Sequence, residues 1–394
     1  MLDVEMSDYV TTAGFLDFEK IYKEVNIYGA VITNRNLGKT YGSTLFSVVD
    51  NGLTNFFRDK KISEMEDLEN LPRSNALDWM FMLLRRTQTQ VTAHKELHKK
   101  VDVNEKIFDF LPKEAKEKYA SEWYFDGSPK ELVSVYIILK NLEDDKIAKF
   151  FHVGYMAAIS SYKKLRGPGI PQVKLIIVEE FQEDKYWNYL PDEPEKLQDI
   201  WESILRDRPP DDCKVILLGN ANTLLNPYFA YYNYTEFNNI KTSKRNGTFI
   251  VYHLPDKPKK SQLYLDLVEG TSYGDYAYNN KFKDYDEFNL MPLKYAAEPR
   301  KIRYNIFFGK EKFGVWRSGD RKTIISRFYD EDKRTFVDRA PLGKEVNDRE
   351  IYVALSHMLR EKQMYFDTAD IRLIAERYLT KYLYTTNASQ WKYK

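Results

Sequence analysis

Six apolar runs divide the first 250 residues: Ile27 to Ile32, Trp79 to Leu84, Val133 to Leu139, Phe150 to Tyr155, Val173 to Val178 and Val215 to Leu218. Runs of this length, continuous rather than alternating, predict strands buried on both faces of a mostly parallel sheet. Polar segments with helical spacing lie between them, such as Leu45, Val48, Val49 and Phe56. Residues 87–130 are charge-rich and helical in pattern. After Val251 the texture changes. Pro255-Asp256-Lys257-Pro258-Lys259-Lys260 predicts a boundary or exposed turn, followed by a Tyr-, Asp- and Asn-rich connecting stretch. From Lys301 the period becomes two: Ile302, Tyr304 and Ile306 alternate with Arg303 and Asn305, and Phe313 to Trp316 follows a Gly-Lys-Glu-Lys turn. Two amphipathic helices, Arg349 to Leu359 and Ala369 to Tyr378, close the pattern. The expected organisation is an α/β domain over residues 1–250, a connecting element over 251–298, and a smaller α+β domain over 299–394.

Composition narrows the class. A chain of 394 residues has room for more than one core. Its single cysteine, Cys213, excludes a disulfide framework and suggests a reducing compartment. There is no signal-peptide pattern and no run long enough to span a bilayer, so a cytoplasmic protein without membrane association is expected. Net charge is +1, so any nucleic-acid contact has to come from local patches or from a lumen shared by several subunits.

Chemistry enters at the end of the first apolar run. Thr33-Asn34-Arg35-Asn36-Leu37-Gly38-Lys39-Thr40 joins that predicted strand to a predicted helix. In this context Gly-Lys-Thr cradles a nucleotide triphosphate: helix N-terminal N–H groups bind anionic oxygens, the lysine reaches the β- and γ-phosphates, and the threonine ligates magnesium. The expected ligands are therefore ATP and Mg2+, with the whole loop from Thr33 to Thr40 around the phosphates. Thr33 departs from the usual pattern, standing where the first glycine of the loop is expected.

A second run, Leu175 to Val178, delivers Glu179 and Glu180 to the carboxyl edge of the sheet, where open α/β folds bind ligands. Glu179 is assigned to magnesium, although aspartate is more usual there, and Glu180 to polarising the attacking water. A third, Val215 to Leu218, leads into Gly219-Asn220-Ala221-Asn222, where Asn220 is the candidate sensor of the γ-phosphate and Asn222 its reserve. His94 and His98 stand four apart, but the order His-Lys-Glu-Leu-His lacks the zincin pattern. With Lys95, Lys99 and Lys100 alongside, a solvated basic helix face is expected.

Several further segments carry a resemblance. They are Arg35 to Tyr41, Ile176 to Phe181, Tyr189 to Glu193, Leu205 to Arg208, Leu218 to Asn222, Asn226-Pro227-Tyr228-Phe229, and Gly270-Thr271-Ser272-Tyr273-Gly274-Asp275 with Asn280 to Phe282. In order and spacing, from about residue 25 to 320, the chain resembles the genome-packaging (encapsidation) ATPases of small tailed phages that replicate by protein priming (Picovirinae-type), within the terminase large-subunit class of P-loop motors. Residues 87–150 match that family poorly.

The resemblance implies an ASCE-type P-loop fold and a homo-oligomeric ring, with five subunits expected, docked on the portal of an empty capsid. The ring would drive double-stranded DNA inward using ATP, in the host cytoplasm and outside the mature virion. A structural RNA partner is left open. By the same resemblance Lys39 and Thr40 bind phosphate and magnesium, and Glu180 is the catalytic glutamate. Arg206 falls on an arginine that acts across the subunit interface, with Arg208 two residues on. Arg166 falls on a second trans-acting basic position, with an exposed loop charge as the equal alternative. Arg85 and Arg86 match a two-arginine strand end assigned to DNA, and Lys95, Lys99 and Lys100 are candidates to face a channel, gripping phosphates rather than base edges. Packing or subunit contact is expected of Tyr186-Trp187 and of Tyr228-Phe229 with Tyr231-Tyr232, since duplex DNA offers no free base faces.

Terminase large subunits often carry an RNase H-like nuclease at the C-terminus, where strand-end carboxylates hold two metals. The predicted strand Lys301 to Phe308 has no aspartate, and Asp330, Glu331 and Asp332 cluster in one loop. A vestigial, non-cleaving domain is therefore expected. Two alternatives stand beside the motor: a cellular P-loop helicase or remodeller, and a non-enzymatic capsid-assembly protein with a degenerate loop.

Overall fold

The computed structural model describes residues 6–254, Pro299 and 301–383, apart from 13–14, 34–36, 100, 102–103, 167–168, 183–188, 221–225, 233, 235–239, 245–246, 310, 338–346, 362 and 368. The chain divides into two compact units. One comprises Met1–Phe181, Glu195–Ala221 and Asn238–Asn280; the other comprises Gln182–Pro194, Asn222–Phe237 and Lys281–Lys394.

The first unit is built on a nine-stranded sheet. Its strands are β1 (Tyr28–Thr33), β2 (Ser74–Arg85), β3 (Tyr119–Gly127), β4 (Val133–Asn141), β5 (Ile147–Ala158), β6 (Val173–Glu179), β7 (Lys214–Gly219), β8 (Lys241–Lys244) and β9 (Phe249–Leu254). They lie in the order β3-β4-β5-β2-β6-β7-β1-β9-β8. From β5 to β9 every neighbouring pair is parallel, whereas β3-β4-β5 and β8-β9 are antiparallel additions at the two edges. The middle is apolar for the reason the sequence suggests. Every residue of β1 is buried, and in β6 only Lys174 is partly exposed, because helices cover both faces of a parallel sheet.

Five helices of this unit matter below: α1 (Phe18–Glu24), α2 (Lys39–Thr44), α3 (Thr54–Asp59), α4 (Met65–Asn70) and α5 (Gln88–His98). A π-helical stretch, Leu45–Leu53, continues α2 into α3. Thr87 starts α5 as an N-cap, exchanging hydrogen bonds with Gln90. Among the described residues, no helix is long and apolar enough to cross a membrane.

The strand order decides the class. β7 sits between β1, which leads into the Gly-Lys-Thr loop, and β6, which ends in the acids. This additional strand between the two is the ASCE-type arrangement expected from the sequence. One element differs from expectation. Within 87–130, helices α5, Asn104–Phe108 and Ala115–Lys118 give way to strand β3. Tyr119 and Ser121 turn inward while Glu122 and Tyr124 stay exposed, and all nine residues pair with β4. Glu122 and Asp126 charge the outward face of this edge strand, where they discourage further pairing.

The second unit carries a five-stranded sheet formed by β10 (Ile302–Phe308), β11 (Glu311–Arg317), β12 (Thr323–Ser326), β13 (Thr335–Phe336) and β14 (Met364–Phe366). β10 to β12 form an antiparallel meander; β13 adds parallel to β10, and β14 parallel to β12. The predicted hairpin and both closing helices, Asn347–Arg360 and Ala369–Leu383, are present. Together they bury Phe308, Phe313, Tyr352, Leu355, Ile371 and Leu379 in one core. Asn305, buried in β10, uses its amide to staple the 330–335 loop: Nδ2 donates to the carbonyls of Asp330 and Lys333, and Oδ1 accepts from Asp330 N–H. From β10 onward this unit combines strands and helices in an α+β arrangement. Of the 251–298 stretch, residues 251–254 complete β9, and the rest, with Gly270 to Asp275, lies outside the described residues.

Candidate functional site

The geometry of the loop follows from Gly38. It caps α2 in the left-handed region, at φ 68°, where a side chain is disfavoured. A Cβ there would also stand 2.8 Å from the Phe15 ring, which packs against Tyr41. Lys39 follows as the first helical residue. Its Nζ donates to the Thr33 carbonyl at 3.2 Å, to Thr33 Oγ1 at 3.0 Å and to Asn220 Oδ1 at 2.8 Å. Thr33, the departure from the glycine pattern, thereby supplies a hydroxyl that parks the lysine. Asn220, at the end of β7, shares that task. Asn34, Arg35 and Asn36 lie outside the described residues, as do Ala221 and Asn222, while Leu37 is buried in the core.

The acids arrive on β6, two strands away. Glu179 is buried, with the Thr40 side chain close enough to favour its charged form. Burial raises its carboxyl above the ordinary range, opposed by the Arg85 guanidinium. Glu180 follows in a left-handed turn, at φ 51°, with most of its side chain exposed. Left-handed backbone at a non-glycine residue is uncommon and concentrates at functional positions. Gly38, Lys39, Thr40, Glu179, Glu180 and Asn220 together line one cleft of about 570 Å³. The residues fit magnesium: Thr40 and Glu179 meet there, and Glu179 Oε1 is buried with no hydrogen-bond partner, an acceptor oxygen suited to a hard cation.

Arg85 and Arg86 are placed differently from the DNA role read in the sequence. A phosphate grip needs an exposed guanidinium, and both are buried. In the β2–β6 register Leu84 pairs with Val178, which brings Arg85 beside the acids. Arg85 Nη1 lies 3.5 Å from Glu179 Oε2, Nη2 pairs with Glu180, and Arg86 Nη2 donates to the Phe181 carbonyl. Both arginines are held against the acidic end of β6.

The histidines also depart from expectation. His94 and His98 face inward, 3% and 0% exposed, so the solvated face of α5 carries the lysines instead. Lys95 lies over the Phe125 ring and Lys99 pairs with Glu96; Lys100 lies outside the described residues. Burial and the Arg85 charge lower the His94 imidazole to about 3, and burial lowers His98 likewise to about 3, so both are neutral near pH 7. His94 Nε2 lies 3.1 Å from Glu179 Oε2. Sequence reasoning missed this contact, since the i, i+4 spacing gives a shared face but not the side it turns to.

Arg166 and Arg206 sit at the other end of the sheet. The loop carrying Arg166 feeds the start of β6, and that carrying Arg206 leads toward β7. Both strands run parallel to β1, so the cleft lies at their far ends, roughly 20 Å away for a seven-residue strand. Arg166 pairs with Asp199 and lies over Tyr162. Arg206 is exposed, with φ 50°, just past the helix Glu193–Leu205, where glycine is the usual occupant. Its stem packs on Gly169, where a Cβ would come within 2.7 Å of Arg206 Cδ. Arg208 is structural: Nη1 donates to the carbonyls of Pro171 and Val173, and Nη2 to that of Ile204. Of the aromatic clusters, Tyr228, Phe229 and Tyr232 are buried, as packing residues should be, and Tyr186-Trp187 lies outside the described residues.

The model of the family described as podovirus DNA encapsidation protein (Gp16) matches residues 108–377. The chain belongs to that family. The matched span begins after the Gly-Lys-Thr loop and α5, and it takes in residues 108–150 of the 87–150 stretch that matches poorly by sequence motif. Relatives include the DNA packaging protein of Bacillus phage B103, 27% identical over 172 residues, an alignment covering 41% of this chain and 50% of that protein. The chain thus spans half the length of that relative. The DNA packaging protein of Bacillus phage PZA is 23% identical over 274 residues, covering 66% of this chain and 74% of that protein. Among solved structures, the Phi-28 gp11 DNA packaging motor aligns over 92% of this chain and 96% of that one, with a TM-score of 0.58 and 15% identity. The bacteriophage Phi-29 genome packaging motor assembly aligns over 94% and 99%, with a TM-score of 0.53 and 18% identity. These likenesses extend over both units and show the shared fold.

Proposed function

We propose that this encapsidation-family protein is an ATP-driven motor subunit that moves double-stranded DNA into a procapsid through its portal. The observation that carries the reading is the convergence of Lys39, Thr40, Glu179, Glu180 and Asn220 on one cleft at the carboxyl edge of the sheet. In this reading ATP displaces the Thr33 and Asn220 contacts of Lys39, whose ammonium then meets the β- and γ-phosphates. Thr40 and Glu179 hold magnesium, which screens the phosphate charge. Glu180 orients the attacking water, and Asn220 senses the γ-phosphate once released from Lys39.

The placement of Arg166 and Arg206 supports an oligomer. Neither reaches its own cleft along the length of the sheet, so a catalytic role for them requires a neighbouring subunit's nucleotide. A homo-oligomeric ring, of five subunits, satisfies this. Its partners would be the duplex, the portal and the capsid, with a structural RNA as a further candidate, in the host cytoplasm during assembly. Lys95, Lys99 and Lys100 remain candidates for the phosphate grip. The second unit acts in docking or gripping as a vestigial nuclease-like domain, its Asn305 spent on holding a loop.

The test is steady-state ATP hydrolysis with and without double-stranded DNA of unrelated sequences. The expected result is stimulation by every duplex, falling steeply as salt rises because phosphate contacts release counterions. Hydrolysis indifferent to duplex DNA would contradict the reading.

A further inference from the structure

Four polar atoms of neighbouring side chains are buried without an aligned hydrogen-bond partner: Arg85 Nε, His94 Nε2, His98 Nδ1 and Glu179 Oε1. Buried polar groups ordinarily find partners, so these orphans in one place mark a site that the chain alone leaves incomplete. The two oxygens of Glu179 differ. Oε2 faces protein, with His94 Nε2 at 3.1 Å and Arg85 Nη1 at 3.5 Å, whereas Oε1 has no partner.

His94 is itself held. Its ring lies 4.8 Å from that of His98, and His98 Nε2 stands 3.2 Å from Thr44 Oγ1, on the helix whose first turn carries Lys39 and Thr40. A path of buried side chains thus joins α2 to the acid on β6 through α5. That helix precedes the span matched by the family model.

We propose that His94 is a positioning residue for Glu179: its imidazole engages Oε2 and leaves Oε1 to the magnesium ion that accompanies ATP. The proposal rests on the reading of the cleft as an ATP–magnesium site. Groups that orient a metal ligand from behind typically contribute 10–100-fold in metal affinity or activity.

The experiment is a magnesium titration of the binding of a fluorescent ATP analogue to the full chain, for wild type, His94→Leu and His94→Gln. Nucleotide binding in EDTA and unligated thermal unfolding serve as controls. The leucine variant is expected to need ~10–100-fold more magnesium for half-saturation, with EDTA binding unchanged. Glutamine, whose amide N–H has a similar reach, should restore most of the loss. If the leucine variant fails to fold, glutamine against the shorter asparagine carries the same test, asparagine alone being displaced. Wild-type magnesium dependence in the leucine variant, or in the asparagine variant if leucine does not fold, would overturn the proposal. So would equal loss of binding in EDTA without rescue by glutamine. A wild-type chain that binds no nucleotide overturns the parent reading as well, and the wild-type curve alone separates that case.

Discussion

Arg206→Ala is expected to leave ATP binding near the wild-type level and to slow hydrolysis by ~10³–10⁵, the range associated with a trans-acting arginine. Arg206 is exposed, lies at the sheet edge opposite Lys39 and occupies a left-handed position that glycine would fill more comfortably. Arg208 nearby is committed to three backbone carbonyls, so its substitution should cost stability instead. The decisive measurement mixes Arg206→Ala protomers with Lys39→Ala protomers, each inactive alone. If the arginine serves a neighbour, activity returns, because an intact cleft on one protomer meets an intact Arg206 on the next. No recovery in co-assembled mixtures would place Arg206 outside the reaction.

The second large effect belongs to Glu180. Glu180→Gln keeps the shape and the reach toward Arg85 but removes the base, so hydrolysis should fall by ~10²–10⁴ while ATP binding persists. Lys39→Ala differs in kind: it removes the cation that meets the phosphates, and binding itself should weaken. Single-turnover hydrolysis beside direct nucleotide binding separates the two. A Glu180→Gln variant that hydrolyses ATP at the wild-type rate would move the base elsewhere and leave the strained turn at Glu180 without its catalytic explanation.

The parts of the site that lie on buried parallel strands were legible in the sequence. β1, β6 and β7 each announce themselves as an apolar run, and their ends carry Lys39, Glu179, Glu180 and Asn220. What the sequence hides depends on contacts between distant segments. Arg85 and Arg86 look like exposed cations until the β2–β6 register sets Arg85 beside Glu179. His94 and His98 look solvated among lysines until α5 turns their face inward. β3 is concealed because one of its faces is charged and its partner, β4, is needed to define the other. Thr33, which first reads as a defect in the loop, makes sense only once the Lys39 ammonium is seen resting on it.

If ATP turnover drives this chain along intact duplex DNA, as proposed, assembled rings displace a third strand from a triplex. That displacement is measured with ATP, with a non-hydrolysable analogue, and with the Lys39→Ala variant. The expected result is ATP-dependent displacement that leaves the underlying duplex paired and that vanishes in the other two conditions. Displacement without hydrolysis would contradict it, as would separation of the duplex strands or no displacement by assembled rings that hydrolyse ATP.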